Sequence, residues 1–390
     1  MPIRHGLAVW MVCLDCYQGK KKEPHHLLED GTNHQAGPYM TLIAGGGGLG
    51  ASVMRGLLRG PAWLYGRGMA IRNAYFNKWA LPVWLDVPVI SVGNLTVGGT
   101  GKTPMTLWLC RQMLERGLKP AVLSRGYKAT PDGIADEILM LSKCCPQAVV
   151  VAHPDRAAAG HLAISEYRAQ AAILDDGFQH RRVGRDLDIV LIDATLPFGY
   201  DYLLPRGLLR EPVHSLRRAE AVVITRCDQC STGALAALDQ RIHDINSDLA
   251  IVHAVHKPVG FFDLQGQPLA YPTGQRLGAF AGIARPEAFI KTLKQINLMP
   301  QVVRHWPDHH HYTSADVETL CSWAAEQRID MLVTTEKDSV KLDRLKVGWP
   351  IPVGVLRVEM ELQADGQRVL CNMIDVMLEN HEDSHERQEI

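Results

Sequence analysis

From residue 87 onward, short and almost wholly apolar runs alternate with longer stretches of helical spacing. The apolar runs fall at 87–92, 121–124, 148–152, 171–174, 188–193 and 221–225, and helical patterns such as 103–116 and 156–166 lie between them. Runs apolar on both faces, separated by helices, predict a parallel sheet covered on both sides. A second series follows, with strands predicted at 251–256, 277–282, 301–306, 331–334 and 351–358. The stretch 258–272 is rich in Gly and Pro and breaks the periodicity, so a junction between two α/β units is expected within 226–275.

Residues 49–80 carry a different pattern. Arg55, Arg59, Arg67, Arg72 and Lys78 are interleaved with Leu57, Leu58, Trp63, Leu64, Tyr65, Met69, Ile71, Tyr75, Phe76 and Trp79, with no acid among them. Cations mixed with interfacial aromatics suit a helix on an anionic membrane surface, and equally a helix packed on the domain. Pro61 should shorten its first half. Residues 1–48, with three successive lysines and a glycine run, are expected to be a poorly ordered extension, with Met40 as an alternative start. The expected division is then 1–48 as extension, 49–80 as membrane-surface helix, 81–228 as nucleotide domain, 229–275 as linker, 276–378 as second α/β domain and 379–390 as acidic tail.

Charge and composition remove several classes. With Lys+Arg 41 against Asp+Glu 42, a globally basic nucleic-acid binder is disfavoured. A chain 46% hydrophobic can build cores, which excludes wholesale disorder. No apolar run reaches the roughly 18 residues that a membrane span needs. Nine scattered cysteines suit a reducing compartment better than a disulfide framework. The Cys13/Cys16 and Cys227/Cys230 pairs lack the flanking glycines of a zinc ribbon, so free thiols are expected. Nothing points to an obligate protein partner.

The strongest chemical signal is the string from Ser91 to Pro104, in which a buried strand runs into Val97-Gly98-Gly99-Thr100-Gly101-Lys102-Thr103 and then a helix. This is the context of a phosphate-binding loop: backbone N–H groups curl around phosphate oxygens at a helix N-terminus. Lys102 is expected at the β- and γ-phosphates and Thr103 at Mg²⁺. Asn94, Thr96, Val97, Gly98, Gly99, Thr100 and Gly101 complete the nucleotide cradle. Thr96 stands where the strict pattern has glycine.

Three further places narrow the reaction. Asp175-Asp176-Gly177 ends an apolar strand, and adjacent acids on that rim repel unless a cation lies between them. Asp136-Glu137 could supply a base for a hydroxyl substrate, or simply cap a helix. In Pro307-Asp308-His309-His310-His311, neighbouring histidines cannot all face one ion, so a single histidine oriented by Asp308 is the better catalytic candidate. Thr225-Arg226-Cys227-Asp228 loosely matches a guanine-reading motif. A P-loop GTPase-type switch or metallochaperone therefore stays open as the alternative, and a non-enzymatic membrane scaffold stands behind it.

With these motifs in order, the chain resembles the tetraacyldisaccharide 4′-kinase family, the lipid A 4′-kinases. The matching strings are 92–104, Ser124-Arg125-Gly126-Tyr127, Asp136-Glu137, Asp175 to His180, 203–212, Ala281-Gly282-Ile283 with Pro286, 307–310 and 335–341, spread over residues 50–362. The resemblance implies two layered α/β/α domains of P-loop type, the second smaller, joined by a short strand-like linker with the site in the cleft. It implies a peripheral enzyme on the cytoplasmic face of the bacterial inner membrane. That enzyme would move the γ-phosphoryl of ATP, with Mg²⁺, to the 4′-hydroxyl of an acylated glucosamine disaccharide 1-phosphate. By the same resemblance Asp136 is the base and His309 its partner. Asp175, Asp176 and Thr103 lie near the metal, and Arg210 and Glu211 form a charged pair near the phosphates. The family's Gly-Asp-Glu-Pro is here Ala135-Asp136-Glu137-Ile138.

Overall fold

The computed structural model describes residues 38–126, 136–308 and 310–386. Three helices come first: α1 (Pro38–Ile43), α2 (Leu49–Leu57) and α3 (Arg59–Lys78). The first α/β series follows as β1 (Val89–Asn94), α4 (Lys102–Glu115), β2 (Pro120–Ser124), α5 (Asp136–Cys144), β3 (Val149–Ala152), α6 (Arg156–Ser165), β4 (Ala171–Asp175), β5 (Leu187–Asp193), β6 (Ala221–Thr225) and α7 (Thr232–Ile245). The second comprises β7 (Ala250–Phe262), β8 (Pro268–Leu269), β9 (Leu277–Ala281), α8 (Pro286–Gln295), β10 (Val302–His305), α9 (Ser314–Glu326), β11 (Met331–Thr335), α10 (Glu336–Asp343), β12 (Val353–Leu362) and α11 (Gly366–Glu386).

The strands form one sheet in the order β10-β9-β11-β12-β7-β6-β5-β1-β4-β2-β3, with β8 paired to β7. Strands β1, β4, β5 and β6 are buried along their whole length, which is why their sequences run apolar without alternation. Helix α4 lies over them and shares one core with β1, β5 and α11, through Met105, Leu109, Ile90, Ile189 and Leu370. The expected fold class holds: a parallel P-loop-type sheet between helices, with a second α/β unit beside it.

Strand β7 sets the geometry of the site. Its first residues pair parallel with β6, Ala221 opposite Ala250. It then runs on past that sheet and pairs antiparallel with β12, from Leu362 opposite Ala254 to Val355 opposite Phe262. Strands β11, β9 and β10 follow β12 in parallel. The second half-sheet therefore points back at the first, and the carboxyl ends of the two sets of strands face each other. Ligands of open α/β sheets bind at such ends, and here two rims share one cleft. The stretch expected as a linker, 229–275, thus holds α7 and this shared strand.

Pro258 sits inside β7, opposite Val358, where the register shifts between Arg357 and Val358. A bulge is one of the few places where a strand accepts proline. Residues 49–80 form α2 and α3, with Pro61 in the first turn of α3, where its missing N–H has no helical partner to lose. Helix α1 buries Ile43, whose carbonyl accepts a hydrogen bond from Arg206 at 3.3 Å. No helix among the described residues is long and apolar enough to cross a membrane.

Candidate active site

The phosphate loop leaves β1 at Asn94 and enters α4 at Lys102. Gly98 and Gly101 have φ of +126° and +93°, values that L side chains rarely adopt. Gly101 is confined as well: a Cβ there would lie 2.7 Å from Nε2 of His256 on β7. Thr96 has no such need. It forms an isolated bridge with Leu209, and extended backbone favours a β-branched residue. The loop is strapped to the 208–210 segment, with Val97 N–H donating to the Leu208 carbonyl at 2.8 Å and Arg210 N–H to that of Leu95 at 2.7 Å. Within the loop, buried Asn94 donates to Thr100 Oγ1 at 3.0 Å, and Thr225 Oγ1 donates to the Thr100 carbonyl at 3.0 Å.

Lys102 projects toward the acids at the end of β4. Its Nζ lies 3.4 Å from Asn94 Oδ1 and 3.4 Å from Asp176 Oδ1. Arg210 reaches the same carboxylate at 2.8 Å. Lys102 and Arg210 overcome the effect of burial and hold the Asp176 carboxyl down at about 2. Its neighbour behaves oppositely. Burial, reinforced by Glu137 and Asp176, pushes Asp175 up to about 7, and Lys102 works against that rise. Thr106 donates to Asp175 Oδ1 at 3.3 Å and Arg156 to its backbone carbonyl at 3.1 Å.

The turn after β4 brings the acids to the loop. Asp176 has a φ of +51°, a region that aspartate tolerates better than most residues. A Cβ on Gly177 would lie 2.6 Å from Ser91 Oγ, and one on Gly93 would lie 2.4 Å from the Phe178 Cβ. The turn thus packs directly on β1, and Gln179 Nε2 donates to the Asn94 carbonyl at 2.9 Å. Glu211 is fully buried, paired with Arg218 at 3.0 Å and accepting from Asn73 Nδ2 at 3.1 Å. Its Oε1 has no hydrogen-bond partner among the described residues.

In the same half as the loop, Asp136 opens α5 and is 6% exposed. Beside it, Glu137 lies 3.9 Å from Nζ of Lys337 on α10, which also lies 3.4 Å from Asp308. One lysine thus touches the acids next in sequence to Asp136 and to position 309. His309 itself, and Tyr127 with Ala135, lie outside the described residues. His310 pairs with Asp316 at 3.2 Å.

Asn94, Lys102, Asp176 and Arg210 form one chain of contacts, Asn94 to Lys102 to Asp176 to Arg210, with Asp175 next in sequence to Asp176. Glu211 is turned toward α3 instead. Sequence reasoning missed the residues of α3 that hold this site. Tyr65 Oη donates to the Arg210 carbonyl at 2.8 Å and Arg72 donates to the Gln179 carbonyl at 2.5 Å. Their polar groups within an aromatic stretch are the sequence signal for these contacts. Lys337 was also missed, because nothing local marks it.

The guanine-reading alternative fares poorly in this geometry. Thr225 is bonded to the loop, Arg226 pairs with Asp193, and Asp228 accepts from Gln295 Nε2 at 2.6 Å. Cys227 and Cys230 are free, their thiols donating to the carbonyls of Ile224 and Cys227. No group of three or more metal-ligating residues occurs among the described residues.

Residues 54–375 match the model of the family described as tetraacyldisaccharide-1-P 4′-kinase. A tetraacyldisaccharide 4′-kinase of Syntrophus aciditrophicus is 38% identical over 326 residues, covering 77% of this chain and 87% of that protein. One from Geobacter sulfurreducens is 40% identical over 313 residues, covering 76% and 86%. The crystal structure of the Aquifex aeolicus enzyme LpxK in complex with ATP superposes with a TM-score of 0.66 at 28% identity, covering 83% of this chain and 99% of that one. The chain belongs to the tetraacyldisaccharide 4′-kinase family, the ATP-dependent kinases of lipid A biosynthesis.

Proposed function

We propose that this chain transfers the γ-phosphoryl of ATP to the 4′-hydroxyl of a tetraacyl glucosamine disaccharide 1-phosphate held at a membrane surface. The observation that carries this reading is the pairing of Lys102 and Arg210 on Asp176 beside the curved phosphate loop, with Glu137 of the same half meeting Lys337, which pairs in turn with Asp308 in the second half. Phosphoryl transfer asks mainly for charge neutralisation and in-line placement. Lys102 and the loop N–H groups supply the first from the half built on residues 81–228. The second half, residues 276–378, closes the acceptor side.

Asp136 takes the acceptor proton, and His309 is its partner. Such general-base help is typically worth about 10²–10⁴ in rate. The acids also fit Mg²⁺. Burial first, and then the charges of Glu137 and Asp176, raise Asp175 to about 7, and a divalent cation would favour its charged form. Thr103 opens α4 beside Lys102, and hydroxyl and carboxylate oxygens are the donors Mg²⁺ takes. Thr103, Asp175 and Asp176 would hold it, while Glu211, expected beside them, is engaged with Arg218 and Asn73. When bound, the ion would supply positive charge against the negative charge of the phosphates.

Membrane contact rests on the outward face of α2, α3 and the loop after them. Leu49, Leu57, Trp63, Leu64, Ile71, Tyr75, Trp79, Leu81 and Trp84 are all more than half exposed, an apolar surface of the kind that marks an interaction site. Arg59, Arg67 and Lys78 on α3 add the positive charge that anionic headgroups attract. The acylated acceptor would then enter from the cytoplasmic leaflet of the inner membrane. The test is transfer of label from γ-³²P-ATP into tetraacyl disaccharide 1-phosphate in mixed micelles. Lipid-dependent labelling is expected; GTP-specific binding without lipid labelling would overturn the reading.

A further inference from the structure

A buried ionic cluster joins the two half-sheets beside the phosphate loop, and the phosphoryl-transfer reading does not use it. Asp193 ends β5 and is 3% exposed. Two guanidiniums converge on its Oδ2: that of Arg226, just after β6, and that of Arg285, at the start of α8 in the second half. Its Oδ1 accepts from the Thr195 backbone N–H at 2.9 Å and from Thr195 Oγ1 at 2.7 Å, and Arg285 also donates to Thr195 Oγ1 at 2.9 Å. Against the upward push of burial, Arg226 and Arg285 together hold the Asp193 carboxyl below the usual carboxylate range.

One carboxylate needs one cation. Arg226 is 7% exposed, belongs to the same half as Asp193, and neutralises it there. Arg285 is therefore surplus to the fold of the first half. What it adds is a tie across the cleft.

The segment that carries Arg285 touches the phosphate loop. A Cβ built on Gly99 would sit 3.8 Å from the Cβ of Ala284, the residue just before Arg285. On its other side this turn is pinned in the second half. Gly282 N–H donates to Asp338 Oδ2 at 3.0 Å, and Lys341 Nζ donates to the Gly282 carbonyl at 3.3 Å. Asp338 and Lys341 are themselves paired at 3.0 Å and buried. There is no slack at Gly282, where a Cβ would meet Tyr312 Oη at 3.1 Å and Asp338 Oδ1 at 3.2 Å. The turn 282–286 thus has a rigid anchor behind it and a charged anchor in front, with Gly99 beneath.

We infer that Arg285 is a positioning residue for ATP: by pairing with Asp193 across the cleft it seats the 282–286 turn on Gly99 and holds the phosphate loop in its nucleotide-binding shape. The inference rests on the phosphate-loop reading above. It makes nucleotide affinity a property of both halves of the molecule, although Arg285 contacts the loop only through its neighbour. A charge-assisted tie of this kind, lost on truncation, is expected to weaken ATP binding about tenfold.

The experiment is calorimetric titration of ATP, with magnesium, into the full chain and its R285A and R285K variants, alongside thermal melting without nucleotide and turnover at saturating ATP. R285A is expected to bind ATP about tenfold more weakly, with an unchanged nucleotide-free melting midpoint and kcat within about threefold. R285K, which keeps the charge but loses the fork, should fall between. Two results overturn the inference: ATP affinity within twofold of the parent, or an affinity loss in both variants that tracks a fall in the nucleotide-free melting midpoint. If the parent chain itself ignores ATP, the phosphate-loop reading fails instead.

Discussion

The sharpest structural constraint in the phosphate loop is at Gly101, and alanine there tests the loop geometry directly. Two costs arise. The φ of +93° lies where an L residue is strained by about 1–2 kcal/mol. The new methyl would also sit 2.7 Å from His256 Nε2 and 3.4 Å from the Met360 Cε. Met360 can yield, being a flexible side chain end. His256 stands on β7 between both half-sheets and has little room, so overpacking adds about 1–3 kcal/mol. Together G101A should cost about 2–5 kcal/mol, partitioned between global stability and a displaced loop. Urea unfolding reads the first and ATP calorimetry the second. The double variant G101A/H256A separates the two costs: removing the imidazole relieves the contact but not the backbone strain. The two substitutions should therefore be less damaging together than the sum of each alone, by about 1 kcal/mol or more. Parent-like stability and ATP affinity in G101A, or strict additivity in the double variant, would refute this account of the loop.

Other predictions follow from the same contacts. D136A should retain ATP binding in calorimetry and lose about 10²–10⁴ in kcat; near-normal turnover would remove Asp136 as the base. K102A should lose more than D136A in kcat/KM, since it removes charge neutralisation from both Asp176 and the phosphates. Serine at Trp63, Leu64 and Ile71 should weaken sedimentation with anionic vesicles while leaving turnover on detergent-dispersed acceptor intact; unchanged vesicle binding would sink the membrane-face reading. Burial and Arg226 push the His256 imidazole down to about 3, below its unfolded value of about 6.5. The unfolded chain then binds the extra proton between those two values, so His256 costs stability as pH falls through that window. H256N should flatten the stability–pH profile there by up to one proton, about 1.4 kcal/mol per pH unit; an unchanged slope would contradict it.

Much of the fold was legible because parallel strands buried on both faces write themselves as apolar runs. The runs at 171–174 and 221–225 reappear nearly unchanged as β4 and β6. The long course of β7 was not legible. Pro258 and Gly260 read as a break, yet a bulge in β7 between them absorbs both while its pairing with β12 continues on either side, and that continuity depends on the partner strand as well as on local sequence. The loop and the Asp175–Asp176 turn announced themselves through glycine spacing and adjacent acids. The ties between the half-sheets did not. Asp193 with Arg285, and Glu137 with Lys337, are separated by 92 and 200 positions, and nothing in the residues at one end names the other. Thr96 shows the opposite case: the apparent departure from motif falls where the backbone is extended, so that position does not require glycine.

The central claim is that the curved backbone from Asn94 to Lys102 aims the terminal phosphate of ATP at a single sugar hydroxyl. Nuclear magnetic resonance of the purified lipid product tests it most directly, by locating the new phosphomonoester on the disaccharide. The account predicts one added phosphate, on the 4′ oxygen, formed by the parent chain and absent with K102A. A product phosphorylated elsewhere, or equal product from K102A, would contradict it.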